Sequence, residues 1–519
     1  MTAKSNQRYR FSEAPIWGIQ RQYYEEEGTR AWVNDQVPQY ITSNPMIASA
    51  YADLIFGFLQ DRANQGYDAD PVYIVEIGAG AGRLAFHVLH ELSLLMDYAG
   101  IQLPRFRYVM TDLAMSNVEA WKEHPALQSF IAAGLLDFAR FDAVNDTELD
   151  LVVSGVTIRE GDLRQPLLIV ANYFFDSIPQ ELLYVGEGRI YEVDVRVEYP
   201  EHQDSLKPSE RLNRISLSYE DPRRAPEYEQ EAYPFRDVIA VYQEQLEDSH
   251  ILFPEEGLKC LERLNGLSRS GFLLVTADKG DHLLDNWRFA EPPELILHGS
   301  FSLTANYHAF LQAYEGRGAE ALFPSQHYKN LNVGCILNVD QPVNYAQTRL
   351  AYRRSVERFG PDEFFSLKQW VDRNVDDMGL QQLLSFWRLG GYDAEWFIHA
   401  AKRISALLPE ASDEEKLDLS QGIDRMWSSY YAMAQRYDLA LDAGLILFEM
   451  DEYEGAKRYL ELSIKYDPDE VVSTVYYCLA ICCFELALIK DAGRYLSKLL
   501  ELEPGHEEAL ALIKHIEVE

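Results

Sequence analysis

Hydrophobic residues between positions 72 and 340 alternate between short apolar runs and segments with helical spacing. The run Val72–Ile77 is apolar at nearly every position, which is typical of a strand buried on both faces of a parallel sheet. Further apolar runs predict four more strands, at 106–111, 137–141, 167–171 and 272–277. This alternation predicts a doubly wound α/β domain, in which ligands bind at the carboxyl ends of the strands.

Past residue 341 the chain has only helical spacing, and part of it repeats. Three short elements recur 36 positions further on, namely Tyr459-Leu460 as Tyr495-Leu496, Ala456 as Ala492, and Asp467-Pro468 as Glu503-Pro504. The interval is close to the tetratricopeptide period of about 34 residues. The pattern predicts an all-helical repeat domain whose grooves bind peptides or other proteins. The alternative is a helical bundle that only covers the α/β domain.

Three glycines at alternate positions, Gly78, Gly80 and Gly82, separate the strand Val72–Ile77 from a segment with helical spacing. Glycine permits a sharp turn and a close approach of a ligand to the main chain. The strand also carries Glu76, whose carboxylate would repel a phosphate but can hold the amino group of an amino-acid-like ligand. The loop therefore predicts a ligand-binding cradle, with a glycine-rich turn that binds nothing as the alternative.

Acidic residues end the next two predicted strands. Asp112 follows the second strand, where a carboxylate commonly accepts the hydroxyl groups of a ribose. Asp142 follows the third strand, where a carboxylate can accept a hydrogen bond from an adenine amino group. For both residues the alternative is a helix N-cap or a solvated acid in a loop.

The net charge of the chain limits the classes of molecule that it can bind. Its 519 residues include 83 acidic and 47 basic side chains, which gives a net charge of −36. Such a surface repels nucleic acid and anionic membranes, and no apolar run approaches the roughly 18 residues of a membrane span. The five cysteines lack metal-type spacing, so we expect no metal site and a reducing, cytoplasmic setting.

The glycine loop with its leading carboxylate resembles motif I of the class I S-adenosylmethionine (SAM) methyltransferases. After the fourth strand, Asn172-Tyr-Phe-Phe-Asp-Ser-Ile-Pro179 resembles Asn-Glu-Phe-Phe-Asp-Ala-Leu-Pro of the MidA-like methyltransferases, a family that includes a mitochondrial assembly factor that methylates a protein arginine. Further stretches resemble that family and occur along the chain in the family's order, at 22–24, 40–45, 271–280 and 302–310. The likeness extends over residues of about 20 to 340.

The resemblance implies a SAM-dependent methyltransferase that modifies a protein side chain, with SAM as its cofactor. The implied cofactor-binding residues are Glu76 at the amino group, the main chain at Gly78, Gly80 and Gly82, Asp112 at the ribose and Asp142 at the adenine. The implied catalytic residues, which orient the acceptor, are Asn172, Tyr173 and Asp176. Asp176 or Asp278 would take a proton from the acceptor. The C-terminal repeats would recruit the protein substrate or an assembly partner.

Two positions depart from the family pattern. Tyr173 stands where the family has glutamate, and Asn306 stands where it has histidine. The first replacement favours a second hypothesis, a non-catalytic methyltransferase-fold scaffold that acts through its helical repeats. A nicotinamide-dependent oxidoreductase is a third hypothesis, disfavoured by Glu76 and by a glycine spacing that differs from the dinucleotide fingerprint.

The sequence predicts four parts. They are an N-terminal helical segment (1–70), a doubly wound class I methyltransferase (Rossmann-like) domain (71–340), a helical connector with a degenerate repeat (341–430), and tetratricopeptide-like repeats (431–519). A charged insertion at about 186–270 is expected to cap the pocket or to present a partner surface.

Overall fold

A seven-stranded sheet forms the centre of the N-terminal part of the chain. The computed structural model describes residues 3–33, 37–66, 70–199, 205–433, 437–466 and 472–518. In chain order, the strands of this sheet are β1 Val72–Ile77, β2 Phe106–Asp112, β3 Leu136–Arg140, β4 Leu167–Asn172, β5 Phe272–Asp278, β6 Glu320–Leu322 and β7 Asn332–Asn338. Their order across the sheet is β6-β7-β5-β4-β1-β2-β3.

Strands β1 to β5 run parallel, whereas β7 runs antiparallel to both of its neighbours. Their register aligns the carboxyl ends, because Ile77 lies opposite both Thr111 and Ala171, and Ala277 lies opposite Asn172. β1 and β4 are adjacent, and β2 and β5 lie on their two outer sides, so the sheet has its topological switch point there. The predicted doubly wound α/β fold with an all-helical C-terminal region is confirmed. The five predicted strands end within one residue of the observed ones.

Local sequence explains where one of the longest helices of this part begins. Helix Pro45–Asn64 begins at its N-cap Asn44, whose Oδ1 accepts hydrogen bonds from the backbone N–H groups of Met46 and Ile47 at 2.9 and 3.1 Å. Up to residue 374 the helices are Pro15–Glu27, Tyr40–Ser43, Pro45–Asn64, Arg83–Ala99, Met115–Glu123, Gln128–Ala132, Pro208–Leu212, Arg236–Gln245, Glu255–Leu267, Tyr307–Glu315, Ala346–Tyr352 and Pro361–Asn374.

The insertion forms small sheets, one of which includes the N-terminal strand of the chain. Ala3–Tyr9 pairs antiparallel with Val195–Tyr199, which pairs in turn with Ser216–Tyr219. A hairpin of Glu181–Gly186 and Arg189–Glu192 leads into the insertion. The remaining short strands are Arg223–Arg224, Ser249–Phe253, Ile296–His298, Ser300–Ser302, Leu149–Asp150 and Thr157–Ile158.

Arg10 joins the N-terminal segment to this insertion. Its guanidinium lies 3.1 Å from Glu181 Oε1 and 2.8 Å from Glu192 Oε1, and it donates to Tyr228 Oη at 2.6 Å. Glu192 is only 1% exposed, and burial raises the pKa of Glu181 to about 7. A buried carboxylate is costly unless a cation lies beside it. Arg10 therefore holds the end of the N-terminal strand against the insertion.

The chain divides into two compact units, Met1–Leu367 and Lys368–Glu519. The second unit contains the helices Leu380–Leu389, Ala394–Leu407, Asp413–Ser428, Leu439–Glu449, Tyr453–Tyr466, Ser473–Glu485, Ile489–Leu502 and Glu507–Val518. The predicted division into four parts stays a prediction. Within the described ranges, every helix is too short or too polar to cross a bilayer.

Two tyrosines 36 positions apart, Tyr459 and Tyr495, make the same kinds of contact in the second unit. Tyr459 Oη donates to Asp424 at 2.9 Å and Tyr495 Oη donates to Glu461 at 2.8 Å. Each tyrosine ring also lies under the guanidinium of the residue before it, at 4.4 and 4.8 Å from the ring centroid. Asp467-Pro468 lies outside the described residues, and the tetratricopeptide assignment stays a prediction.

We expect Arg10→Ala to destabilise the first unit, because it leaves two buried carboxylates with fewer partners. The loss should be about 1–2 kcal/mol, since Arg10 is itself partly exposed and Arg223 still contacts Glu192. Arg8→Ala is the matched control, because Arg8 is more exposed and pairs with Glu220, which also binds Arg196. Urea denaturation of both variants measures the difference. Equal stability of the two variants would contradict this role of Arg10.

Candidate active site

A cavity of about 380 Å³ lies at the carboxyl ends of β1, β2 and β4. This volume falls within the usual range for small-molecule sites, about 300–1,000 Å³. The predicted site residues that line it are Glu76, Gly78, Gly80, Asp112, Asp142, Asn172, Tyr173 and Asp176. Gly82 is not among the lining residues. The structure therefore brings together nearly all of the residues that the sequence singled out, while their roles stay predictions.

The three glycines of the loop have different surroundings. All have positive φ angles, +68° at Gly78, +57° at Gly80 and +83° at Gly82, a region that favours glycine. A Cβ at Gly80 would lie 2.9 Å from the ring of Trp32, whereas one at Gly78 would meet only Phe174, at 3.5 Å. Gly82 is the N-cap of helix Arg83–Ala99. Gly78 is thus open to a ligand, Gly80 packs closely against Trp32, and Gly82 begins the helix.

Glu76 is a buried acid without a cationic partner among the described residues. Its side chain is 4% exposed, and its Oε2 accepts a hydrogen bond from Tyr108 Oη at 3.0 Å. Burial raises the pKa of Glu76 to about 8, although the bond from Tyr108 acts in the opposite direction. The group is therefore mostly protonated at neutral pH, and a cation placed beside it would favour ionisation.

Asp112 connects the ends of β1 and β2. Its Oδ2 accepts from the backbone N–H of Gly80 at 3.0 Å, and its Oδ1 accepts from that of Ala114 at 3.0 Å. Burial raises the pKa of Asp112, and these two N–H donors partly offset that effect. Each carboxylate oxygen has a second lone pair, so the group can still accept a hydroxyl donor.

Asp142 is held in place by Arg21, a residue that the sequence analysis did not identify. Arg21 Nη1 donates to Asp142 Oδ2 at 2.7 Å, Asn145 Nδ2 donates to the same oxygen at 2.9 Å, and the N–H of Val144 donates to Oδ1 at 3.0 Å. Burial alone would raise the pKa of Asp142, but the bonds from Asn145, Arg21 and Val144 hold it below its usual value. Asp142 is therefore an ionised and oriented acceptor.

The residues after β4 are positioned by their own hydrogen bonds. Asn172 Oδ1 accepts from Tyr51 Oη at 2.6 Å, and its Nδ2 donates to the carbonyl of Thr42 at 3.0 Å. Tyr173 adopts a φ of +47°, a strained angle for a residue with a side chain. Its N–H donates to the carbonyl of Ala277 at 2.9 Å. These bonds fix the turn that places Tyr173 and Asp176 at the cavity.

Asp176 and Asp278 form a buried pair. They are 3% and 0% exposed, and the N–H of Asp176 donates to Asp278 Oδ2 at 3.2 Å. Burial raises the pKa of both carboxyl groups, and the negative charge of Asp176 raises that of Asp278 further. Among the described residues, Asp176 Oδ1 has no hydrogen-bond partner. The pair is therefore suited to hold one proton and to accept a hydrogen bond from a ligand.

The N-terminal segment covers the cavity, which the sequence analysis did not predict. Trp17, Tyr24 and Trp32 all line it, and the rings of Tyr24 and Trp32 stack with centroids 5.9 Å apart. The insertion, expected as a possible cap, contributes none of the described lining residues. Its strand Val195–Tyr199 pairs with the N-terminal strand instead, so it holds the segment that does the covering. The aromatic residues of the N-terminal segment could have indicated a cover over the cavity, but aromatic residues suit core packing equally well.

Comparison with known proteins gives distant matches only. No family model and no curated protein sequence matches the chain. Matching solved structures include two members of the COG1565 superfamily from Burkholderia thailandensis. One is an uncharacterized protein, 14% identical, covering 65% of this chain and 90% of its own, with a TM-score of 0.39. The other is a presumed methyl transferase bound to S-adenosyl-homocysteine, 15% identical, covering 67% of this chain and 91% of its own, with a TM-score of 0.42.

Likenesses this distant carry no argument about the chemistry of this chain.

The contact between Gly80 and Trp32 can be tested by a double-mutant cycle. Gly80→Ala should destabilise the protein through its positive φ and through crowding of the Trp32 ring. Trp32→Ala should remove the crowding, so the two changes should couple by about 0.5 kcal/mol or more. Gly66→Ala is the control, because Gly66 has a φ of +80° and nothing within 4 Å of an added Cβ. Additive free energies of unfolding at positions 80 and 32 would contradict the contact.

Proposed function

We propose that the unit Met1–Leu367 is a SAM-dependent methyltransferase that modifies an N–H or O–H group of a protein side chain. The observation that supports the proposal is the composition of one cavity at the switch point of the sheet. It combines a glycine loop, a buried acid without a cationic partner and a second buried acid with one buried oxygen that lacks a hydrogen-bond partner, all within the described residues. Together these groups match a ligand that is part nucleoside and part amino acid.

The residues present fit SAM. Glu76 would bind the ammonium group, because a buried carboxyl group gains most from a cation. Asp112 would accept the ribose hydroxyls with its remaining lone pairs, and Asp142 would accept the adenine amino group. The main chain at Gly78 has room for close approach of a ligand. When bound, SAM supplies an electrophilic methyl group on a sulfonium sulfur.

The catalytic residues would act mainly by alignment. Methyl transfer needs the acceptor lone pair in line with the methyl carbon, and correct placement contributes a large part of the rate. Asn172 holds the turn through Tyr51 and Thr42. Tyr173 would form one wall of the acceptor site. Asp176 Oδ1 would accept a hydrogen bond from the N–H or O–H group of the acceptor. Asp176 would then take the proton that methylation displaces.

Binding of S-adenosyl-homocysteine, which carries the same ammonium group, should release a proton from Glu76 near pH 7. With a pKa of about 8, Glu76 is mostly protonated in the free protein, and the ammonium stabilises its carboxylate. Affinity should therefore rise as the pH increases from 6 to 8. Titration calorimetry in buffers of different ionisation enthalpy measures the released proton, and Glu76→Gln should abolish the release and weaken binding about tenfold or more. No binding at millimolar ligand would reject the methyltransferase.

Tyr173 favours a second candidate function, a scaffold that retains the fold without catalysis. The MidA-like pattern has a carboxylate where this chain places a phenol, and burial raises the pKa of Tyr173 well above its usual value. The phenol therefore stays neutral and cannot replace a carboxylate as a partner for a cationic acceptor. Incubating the protein with tritiated SAM and a cell lysate separates the two functions. A scaffold labels no protein even if it binds S-adenosyl-homocysteine, whereas a methyltransferase transfers the label.

We also propose that the unit Lys368–Glu519 recruits the protein substrate or an assembly partner. It contains a concave site of about 540 Å³ lined by an aromatic residue, an aliphatic residue and charges of both signs. The residues are Asp424, Trp427, Ser428, Arg458, Glu461, Leu462 and Lys465. Exposed arginine beside tryptophan is a common combination in protein-binding surfaces.

Arg458→Ala should reduce labelling of the lysate substrate while binding of S-adenosyl-homocysteine stays unchanged. Arg458 lines the concave site and pairs with Asp424 at 2.6 Å. Arg388→Ala is a matched control, because Arg388 is equally exposed and pairs with Asp418 at 2.9 Å, but does not line the site. Equal labelling by the two variants would contradict recruitment through this site.

A reducing compartment such as the cytoplasm also belongs to the proposal. All five cysteines are buried and free, which suits a protein that is never exposed to oxidising conditions.

A further inference from the structure

The two-stranded sheet of Ile296–His298 and Ser300–Ser302 contributes to the cavity wall. Ser300–Ser302 is its inner strand, because all three of its residues are buried. Ile296–His298 is its outer strand, in which Ile296 is 41% and Leu297 is 43% exposed. Among the described residues, the outer strand pairs with Ser300–Ser302 alone. Its other edge is therefore open to a further strand.

Hydrogen bonding shows which main-chain groups this open edge presents. Leu297 lies opposite Phe301 in the antiparallel register. Residues opposite each other in such a pair either bond across to one another or both point outward. The N–H of Phe301 points outward, because it donates to Gln20 Oε1 on helix Pro15–Glu27 at 2.9 Å. The N–H and C=O of Leu297 therefore point outward from the open edge, where no other described residue bonds them.

The side chains of the outer strand suit pairing with another chain. Exposed edge strands commonly carry lysine, proline or a bulge, each of which hinders a second chain from pairing there. The edge Ile296-Leu297-His298 has none of these, and its register is regular. Exposed apolar side chains at a free edge lose contact with water when a strand is added, which favours the addition. The local sequence is therefore that of an edge kept available for a partner.

The open edge lies beside the candidate active site. His298 at the end of the outer strand lines the cavity, as do Phe301 and Ser302 of the inner strand. A strand advances about 3.3 Å per residue. A segment paired with Leu297 therefore has its next residue beside His298, at the cavity wall. Pairing of the main chain would thus bring a side chain of the segment to the cavity.

Acidic residues next to the edge indicate the charge of a suitable segment. Glu291 and Glu294 are exposed and lie shortly before the outer strand. The whole chain carries a net charge of −36, which attracts basic segments and repels acidic ones. The edge is therefore complementary to a basic segment that also has apolar residues to pack on Ile296 and Leu297.

We propose that Ile296–His298 docks an extended basic segment of the acceptor protein as an added strand, an inference that rests on the methyltransferase function proposed above. The main chain of the segment exchanges hydrogen bonds with the N–H and C=O of Leu297, and its apolar side chains pack on Ile296 and Leu297. Recognition of this kind takes its affinity from main-chain bonds and its specificity from alternate side chains. A neighbouring side chain of the segment then reaches the cavity beside His298.

Strand addition can be measured in the full-length protein without cofactor. The probe is a short fluorescein-labelled peptide of alternating valine and lysine, followed by fluorescence anisotropy. It should bind at least about tenfold more tightly than the same peptide methylated on every main-chain nitrogen, which has equal charge but no N–H donors. A peptide of alternating valine and glutamate should also bind more weakly. Equal binding of the valine–lysine peptide and its methylated form, or no binding at millimolar peptide, would overturn the proposal.

Leu297→Pro tests the edge itself. Proline removes the outward N–H and leaves the bonds to Ser300–Ser302 in place, so the affinity for the valine–lysine peptide should fall about fivefold or more. Leu297→Ala is the matched control, because it keeps the N–H and should bind more tightly than Leu297→Pro. Urea denaturation checks that both variants stay folded. A Leu297→Pro variant that binds the peptide as wild type does would contradict strand addition.

Charge reversal tests the choice of segment. Glu291→Lys combined with Glu294→Lys should weaken binding of the valine–lysine peptide and strengthen binding of the valine–glutamate peptide, because the charge beside the edge changes sign. If the double variant keeps the preference of wild type, the two glutamates do not select a basic segment, and that part of the proposal is wrong.

Labelling of lysate protein with tritiated SAM separates this proposal from the methyltransferase. Leu297→Pro should label about fivefold less than wild type, and excess valine–lysine peptide should compete with labelling by wild type. If Leu297→Pro labels as well as wild type, docking of the acceptor by strand addition is wrong and the methyltransferase stands. If wild type labels nothing although it binds the peptide in the predicted way, the methyltransferase is wrong and the edge binds a partner without modifying it.

Discussion

The structure depends on the burial of carboxyl groups at the aligned ends of parallel strands. Glu76 is the penultimate residue of β1, and Asp112 and Asp278 end β2 and β5. Asp176 follows β4, which lies between β1 and β5. Removing an acid from water is costly unless it is protonated, hydrogen-bonded or paired with a cation. Asp112 is satisfied by backbone N–H groups, but among the described residues Glu76 has no cationic partner and Asp176 Oδ1 has no hydrogen-bond partner. The sheet therefore holds a cavity with carboxyl groups that a bound ligand could complete.

The cover over this cavity comes from far along the chain. The N-terminal strand pairs with a strand of the insertion, and Arg10 supplies charge to carboxyl groups that the insertion buries. From that anchor the segment places Arg21 on Asp142 and Trp32 against Gly80. The insertion thus affects the site indirectly. Because the insertion lies outside the cavity lining, its many charged side chains do not enter the site.

Local patterns were sufficient to predict the sheet, the glycine loop and most lining residues. Apolar runs located five strands to within one residue, because strands buried on both faces require apolar side chains at successive positions. Arg21 and Trp32 were not predicted, since each acquires its role through contact with an element distant in sequence. Gly82 illustrates the converse, because its spacing suggested a ligand contact while its backbone begins a helix. Pairing between Ala3–Tyr9 and the insertion likewise has no local signal.

The central claim is that a ligand ammonium group completes the charge of Glu76. Infrared difference spectroscopy at pH 7, before and after addition of S-adenosyl-homocysteine, observes this carboxyl group directly. The account predicts loss of a protonated-carboxyl band and gain of a carboxylate band, both absent in Glu76→Gln. A spectrum in which the ligand binds without changing any carboxyl band, or in which Glu76→Gln shows the same change, would contradict it.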